Sequence, residues 1–105
     1  MKVFETAQDI PDSFEGQCYV KHPDSIRWIK QGKVLHREDG PALIDVGETE
    51  YWFTNGILHR LDGPAVVYKT GNYQYWINYC VLSAHDFWNH PRVLIHKLNK
   101  ILQEL

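Results

Sequence analysis

The chain has 105 residues, enough for one domain with a single core. Its 11 basic and 13 acidic residues leave a net charge of −2, which excludes a global field that gathers nucleic acid or anionic membrane. Cys18 and Cys80 are too few for a disulfide framework, and no apolar run approaches the ~20 residues that cross a bilayer.

In chain order, Met1 to Thr6 lacks the continuous apolar core of a signal peptide, and the expected location is the cytoplasm, with free thiols. Residues 1–17 read as an irregular arm, marked by Asp9-Ile10-Pro11-Asp12. Cys18 to Lys21 and the turn His22-Pro23-Asp24-Ser25 form a degenerate half unit. A first full unit follows: a strand from Ile26 to Lys30, a turn at Gln31-Gly32-Lys33, the phrase Leu35-His36-Arg37-Glu38-Asp39-Gly40-Pro41-Ala42, and a strand to Asp45. The second unit repeats it, with a strand at Glu50 to Thr54 and a turn at Asn55-Gly56. Asn-Gly suits a type I′ hairpin, in which both central residues need φ > 0. Leu58-His59-Arg60-Leu61-Asp62-Gly63-Pro64-Ala65 comes next, then a strand to Lys69 and a turn at Thr70-Gly71-Asn72. The first unit has one extra residue between glycine and histidine, which predicts a bulge. Trp28, Trp52 and Trp76 recur every 24 residues, as do Gly32 with Gly56 and Gly47 with Gly71, so Cys80 stands at the glycine position of a truncated third unit.

Ser83-Ala84-His85-Asp86 has capping-box spacing with Asp for the usual Glu, and Pro91 suits a first helical position, so residues 83–105 predict a helical end. Leu94, Leu98, Ile101 and Leu105 form a stripe widened by Ile95 and Leu102. Packing on the sheet is the first expectation for that stripe; self-association is the second, over a short seam. The predicted fold is mainly β with a C-terminal helix (α+β): an antiparallel meander of about two and a half hairpin units over residues 18–82, capped by helix.

The repeated phrase resembles the MORN-type family of tandem β-hairpin repeats. It is closer to the Gly-x-x-His-Arg-x-Asp-Gly-Pro-Ala variant found in proteins of bacteriophages, bacteria and large viruses. The resemblance covers roughly residues 26 to 78. It implies a phage or bacterial origin and a scaffold or interaction surface. With only two full units, an extended lipid- or partner-binding groove is not carried over.

His36, Arg37, Asp39, Gly40 and Pro41, with His59, Arg60, Asp62, Gly63 and Pro64, read as structural corners. One local motif used twice is unlike a catalytic constellation, which converges different residue types on one point. Asp62 is expected to cap the turn, and Gly63 to take a backbone angle closed to other residues. No cofactor or metal is expected. Period-2 alternation sets Trp52 apart from Tyr51 and Phe53, and Trp76 from Tyr75 and Ile77. The second set is the better helix-covered face. Trp28, Trp52 and Trp76 then form either a packing spine or a contact surface. The expected function is non-enzymatic binding of a host or cognate protein, as an inhibitor or regulator, with a homodimer allowed and nucleic acid disfavoured. A small-molecule or nucleotide binder is the alternative, and an enzyme using the repeated corners the third.

Overall fold

The computed structural model describes residues 2–4, 17–22 and 25–105. Strands β1 (Lys2–Phe4), β2 (Gln17–His22) and β3 (Ser25–Lys30) open the fold. β2 and β3 pair antiparallel from Gln17↔Lys30 to His22↔Ser25, and β1 lies parallel to β2. The expected irregular arm therefore contains a short strand; Asp9 to Asp12 fall outside the described residues.

Seven short strands and a longer one follow: β4 (Val34–Leu35), β5 (Leu43–Asp45), β6 (Glu50–Tyr51), β7 (Phe53–Thr54), β8 (Ile57–Leu58), β9 (Val66–Val67), β10 (Tyr73–Ile77) and β11 (Cys80–Leu82). The spatial order is β1-β2-β3-β5-β6-β9-β10-β11, with β4 paired to β3 and β7-β8 a separate ribbon. The protein is thus mainly antiparallel β with a C-terminal helical end.

Each unit changes partners at one residue. The start of β3 pairs with β5 and its end with β4; between them, the Trp28 N–H donates to Ala42 O (2.7 Å) and Trp28 O accepts from the His36 N–H (3.0 Å). Trp52 does the same between β6 and β7, donating to Ala65 O (2.7 Å) and accepting from the His59 N–H (3.1 Å). In the third unit β10 pairs with β9 through Tyr73 and Gln74, then with β11 from Tyr75 onward.

That register moves the third unit by one residue. Ala42 N–H donates to Tyr51 O and Ala65 N–H to Gln74 O; Gly56 N–H donates to Leu35 O and Tyr79 N–H to Leu58 O. Tyr75, not Trp76, is therefore the counterpart of Trp52, and Tyr79, not Cys80, that of Gly56. Asn78 and Tyr79 hold the two left-handed positions (φ 49° and 65°) that Asn55 and Gly56 hold one unit earlier (52° and 77°). The extra residue of the first unit forms no bulge. It is absorbed in a three-residue loop, with Gly32 and Lys33 left-handed. In the turn that joins the first unit to the second, the left-handed residue is Glu48 rather than Gly47.

The end-piece begins where expected. Ser83 Oγ accepts the Asp86 N–H (3.1 Å) and starts α1 (Ala84–Trp88); His90 Nδ1 accepts the Arg92 N–H (3.1 Å) and Pro91 opens α2 (Pro91–Gln103). A core of Tyr75, Ile77, Phe87 and Val93, flanked by Leu61 and Leu82, joins sheet to helices. Tyr75 and Ile77 face the helices, as expected. Because Tyr75 matches Trp52, however, the tryptophan of the second unit belongs to this same face.

The expected packing of the α2 stripe is overturned. α2 buries Val93 alone, while Leu94, Ile95, Leu98, Ile101, Leu102 and Leu105 are 45–96% exposed. Every residue from Lys97 to Leu105 is exposed, with Lys97 and Lys100 bordering an open groove that Leu61, Asp62 and Trp88 also line.

Candidate functional site

The repeated corners are side-chain clamps built twice on one plan. His36 and His59 are buried, and each ring accepts a backbone N–H from the next hairpin turn: Asn55 N–H to His36 Nδ1 (3.0 Å) and Asn78 N–H to His59 Nδ1 (3.1 Å). With Nδ1 accepting, the proton of each neutral ring sits on Nε2. Histidine here ties one unit to the following one.

The arginines clamp their own units. The Arg37 guanidinium lies 4.1 Å above the Trp28 ring, donating from Nε to Asp39 (3.3 Å) and from Nη1 to Pro41 O (3.2 Å). Arg60 lies 4.1 Å above Trp52, with Nε to Asp62 (2.7 Å) and Nη1 to Pro64 O (3.0 Å). A guanidinium over an indole gains cation–π attraction while its edge stays free to donate. In the third unit no such arginine exists, and the Phe87 ring stacks on Tyr75 instead, at 4.4 Å and 28°. Burial alone would raise the Asp62 pKa. The Arg60 hydrogen bond and charge, with its own backbone N–H, outweigh burial and lower it.

Gly40 and Gly63 are not in the left-handed region, which corrects the expectation for Gly63. Their reason is space. A Cβ at Gly40 meets Arg37 Cζ at 2.7 Å, and one at Gly63 meets Arg60 Cζ at 3.0 Å. The glycine lets the guanidinium fold flat onto its tryptophan. Gly63→Ala is therefore expected to cost about 1–2 kcal/mol by displacing a clamped arginine. In an Arg60→Ala background the cost should shrink below about 0.5 kcal/mol. Equal costs in the two backgrounds, from denaturant melts, would place the strain in the backbone.

Of the sequence-derived residues, Arg37, Trp52, His59, Arg60 and Asp62 border one groove, whereas the three tryptophans do not come together. Trp28 and Trp52 are half-buried under their arginines. Trp76, also half-buried, stands at the Phe53 position and donates from Nε1 to Gln74 (3.1 Å). The three indoles thus form no continuous ladder; the series is Trp28, Trp52, Tyr75.

One open groove of about 330 Å³ does gather charge on the helix side. Trp52, His59, Arg60 and Asp62 of the second corner line it, with Arg92 and His96 from α2. Glu38 approaches the His36 Nε2 at 3.7 Å in the first corner; Leu61 holds that position in the second, so His59 Nε2–H meets no carboxylate of its own corner. The sequence does not place Arg92 and His96 beside the second corner, because only the fold brings α2 over it. Burial first, and the Arg92 charge second, hold the His59 pKa below its ordinary 6.5. The unfolded chain then takes up this proton first as pH falls. The stability from neutral His59 is complete above about pH 6.5 and is lost as pH drops through the lowered folded value. Thermal melts between about pH 7.5 and 5 should show that loss, and His59→Gln should reduce it. An unchanged slope would assign the proton to another group.

Among the described residues no group of three or more His, Cys, Asp or Glu could hold a metal ion, and no helix is long and apolar enough to cross a membrane. Cys80 is free and exposed. The chain matches no protein family, no curated protein and no solved structure.

Proposed function

We propose that the chain is a non-enzymatic protein-binding module whose working surface is the apolar face of α2. The observation that carries this is the exposure of Leu94, Ile95, Leu98, Ile101 and Leu102 along one helix, with Leu105 just past its end. A contiguous apolar patch of this kind marks an interaction site on a soluble domain. The corners support the reading from the other side: their histidines and arginines are committed to holding hairpins together. The resemblance to MORN-type repeats of phages and bacteria belongs to the same proposal. In that setting the module acts as an inhibitor or regulator, in the cytoplasm of the cell that contains it.

Leu98→Lys together with Ile101→Lys tests it. Both residues are exposed, so folding stability should stay within about 0.5 kcal/mol of the parent. Proteins that the parent retains from a bacterial lysate should be lost by the variant. An unchanged set of retained proteins would contradict the assignment of the surface.

A second reading has its own observation, the groove that joins Arg92 and His96 to the second corner. Its donors suit a small anionic ligand such as a nucleotide. Isothermal titration with a nucleoside triphosphate should then give heat that Arg92→Gln removes; no heat with the parent protein would contradict this reading.

A further inference from the structure

Helix α2 is exposed over its C-terminal half. From Lys97 onward it has no buried residue, although a helix this short is marginal in water without packing. Four large apolar side chains in this stretch, Leu98, Ile101, Leu102 and Leu105, continue the exposed face of Leu94 and Ile95 and sharpen the problem. They need a cover, and the helix's own sequence describes one.

We infer that the partner of α2 is α2 of a second copy, packed antiparallel about a two-fold axis. This rests on the reading of the α2 face as a protein-docking surface, and it names the occupant. Leu94, Leu98, Ile101 and Leu105 follow alternating spacings of four and three, the seam of a left-handed helix pair. Antiparallel, Leu94 meets the partner's Leu105 and Leu98 meets the partner's Ile101. The two-fold repeats both layers.

The flanks decide the orientation. Ile95 and Leu102 lie seven residues apart on one flank, and Lys97 and Glu104 seven apart on the other. In the antiparallel register Ile95 packs against the partner's Leu102 and closes the apolar side. Lys97 then faces the partner's Glu104, and Glu104 the partner's Lys97. A parallel pair instead sets Lys97 against the partner's Leu102 and leaves Glu104 without an opposite charge. Only one orientation satisfies both flanks.

Sedimentation equilibrium over roughly 10 µM to 1 mM, the range of weak interfaces, tests the inference. The parent should pass from monomer to dimer. Lys97→Glu and Glu104→Lys should each weaken association roughly tenfold, since each variant sets like charges together twice. An equimolar mixture of the two should regain it, because every facing pair is then opposite in sign. Undiminished association of the single variants, with no gain on mixing, would overturn the antiparallel register. A parent that stays monomeric throughout would overturn self-pairing itself. Neither result removes the docking role of the face, which fails if Leu98→Lys with Ile101→Lys leaves protein capture unchanged.

Discussion

Phe87→Ala is expected to destabilise the protein by about 3–5 kcal/mol, the largest effect of any single truncation considered. The side chain is fully buried. It stacks on Tyr75 at 4.4 Å, meets Trp88 edge-on at 4.9 Å, and shares its core with Ile77 and Val93. It also occupies over Tyr75 the place that a guanidinium occupies over Trp28 and Trp52. Removing it opens the last unit and unseats both helices, in a domain whose total stability is of order 5–15 kcal/mol. Denaturant melts should show the loss, and Phe87→Leu should recover most of it. An unchanged midpoint for Phe87→Ala would mean that α1 does not cap the sheet.

Trp52→Ala comes second, at about 2–4 kcal/mol. Trp52 is half-buried, so its packing loss is smaller than that of a fully buried ring, but Arg60 loses its seat as well. Asp62 and the Pro64 carbonyl then hold an arginine with nothing beneath it. The one-residue shift of the third unit predicts a difference between tryptophans: Trp76→Ala, which carries no guanidinium, should cost at least about 1 kcal/mol less than Trp52→Ala. Equal losses would restore an equivalence of Trp52 with Trp76 and contradict the register.

Much of this architecture was legible in the residues. Asn55-Gly56 marked a type I′ turn, Ser83 and Pro91 marked helix starts, and the strand-rich runs between turns marked the meander. The shift of the third unit was hidden because Asn78 and Tyr79 make the same left-handed turn without a glycine, while Trp76 happens to keep the 24-residue spacing. The role of Gly63 is not legible in the sequence, because glycine serves two physical ends, backbone freedom and absence of a Cβ, and composition does not separate them. The corner histidines gave no sign of their partners, since their acceptor atoms meet backbone N–H groups 19 residues away. The α2 stripe was legible as apolar, but periodicity reports that a face is hydrophobic and says nothing of what covers it.

Amide hydrogen exchange on dilute protein tests the open α2 face most directly. The account predicts slow exchange around Phe87 and Val93 and nearly unprotected exchange from Leu98 to Leu105, because an unpacked helix end frays. Slow exchange continuing through Leu102 in the dilute monomer would show that the chain itself covers the stripe, and would contradict its role as a docking surface.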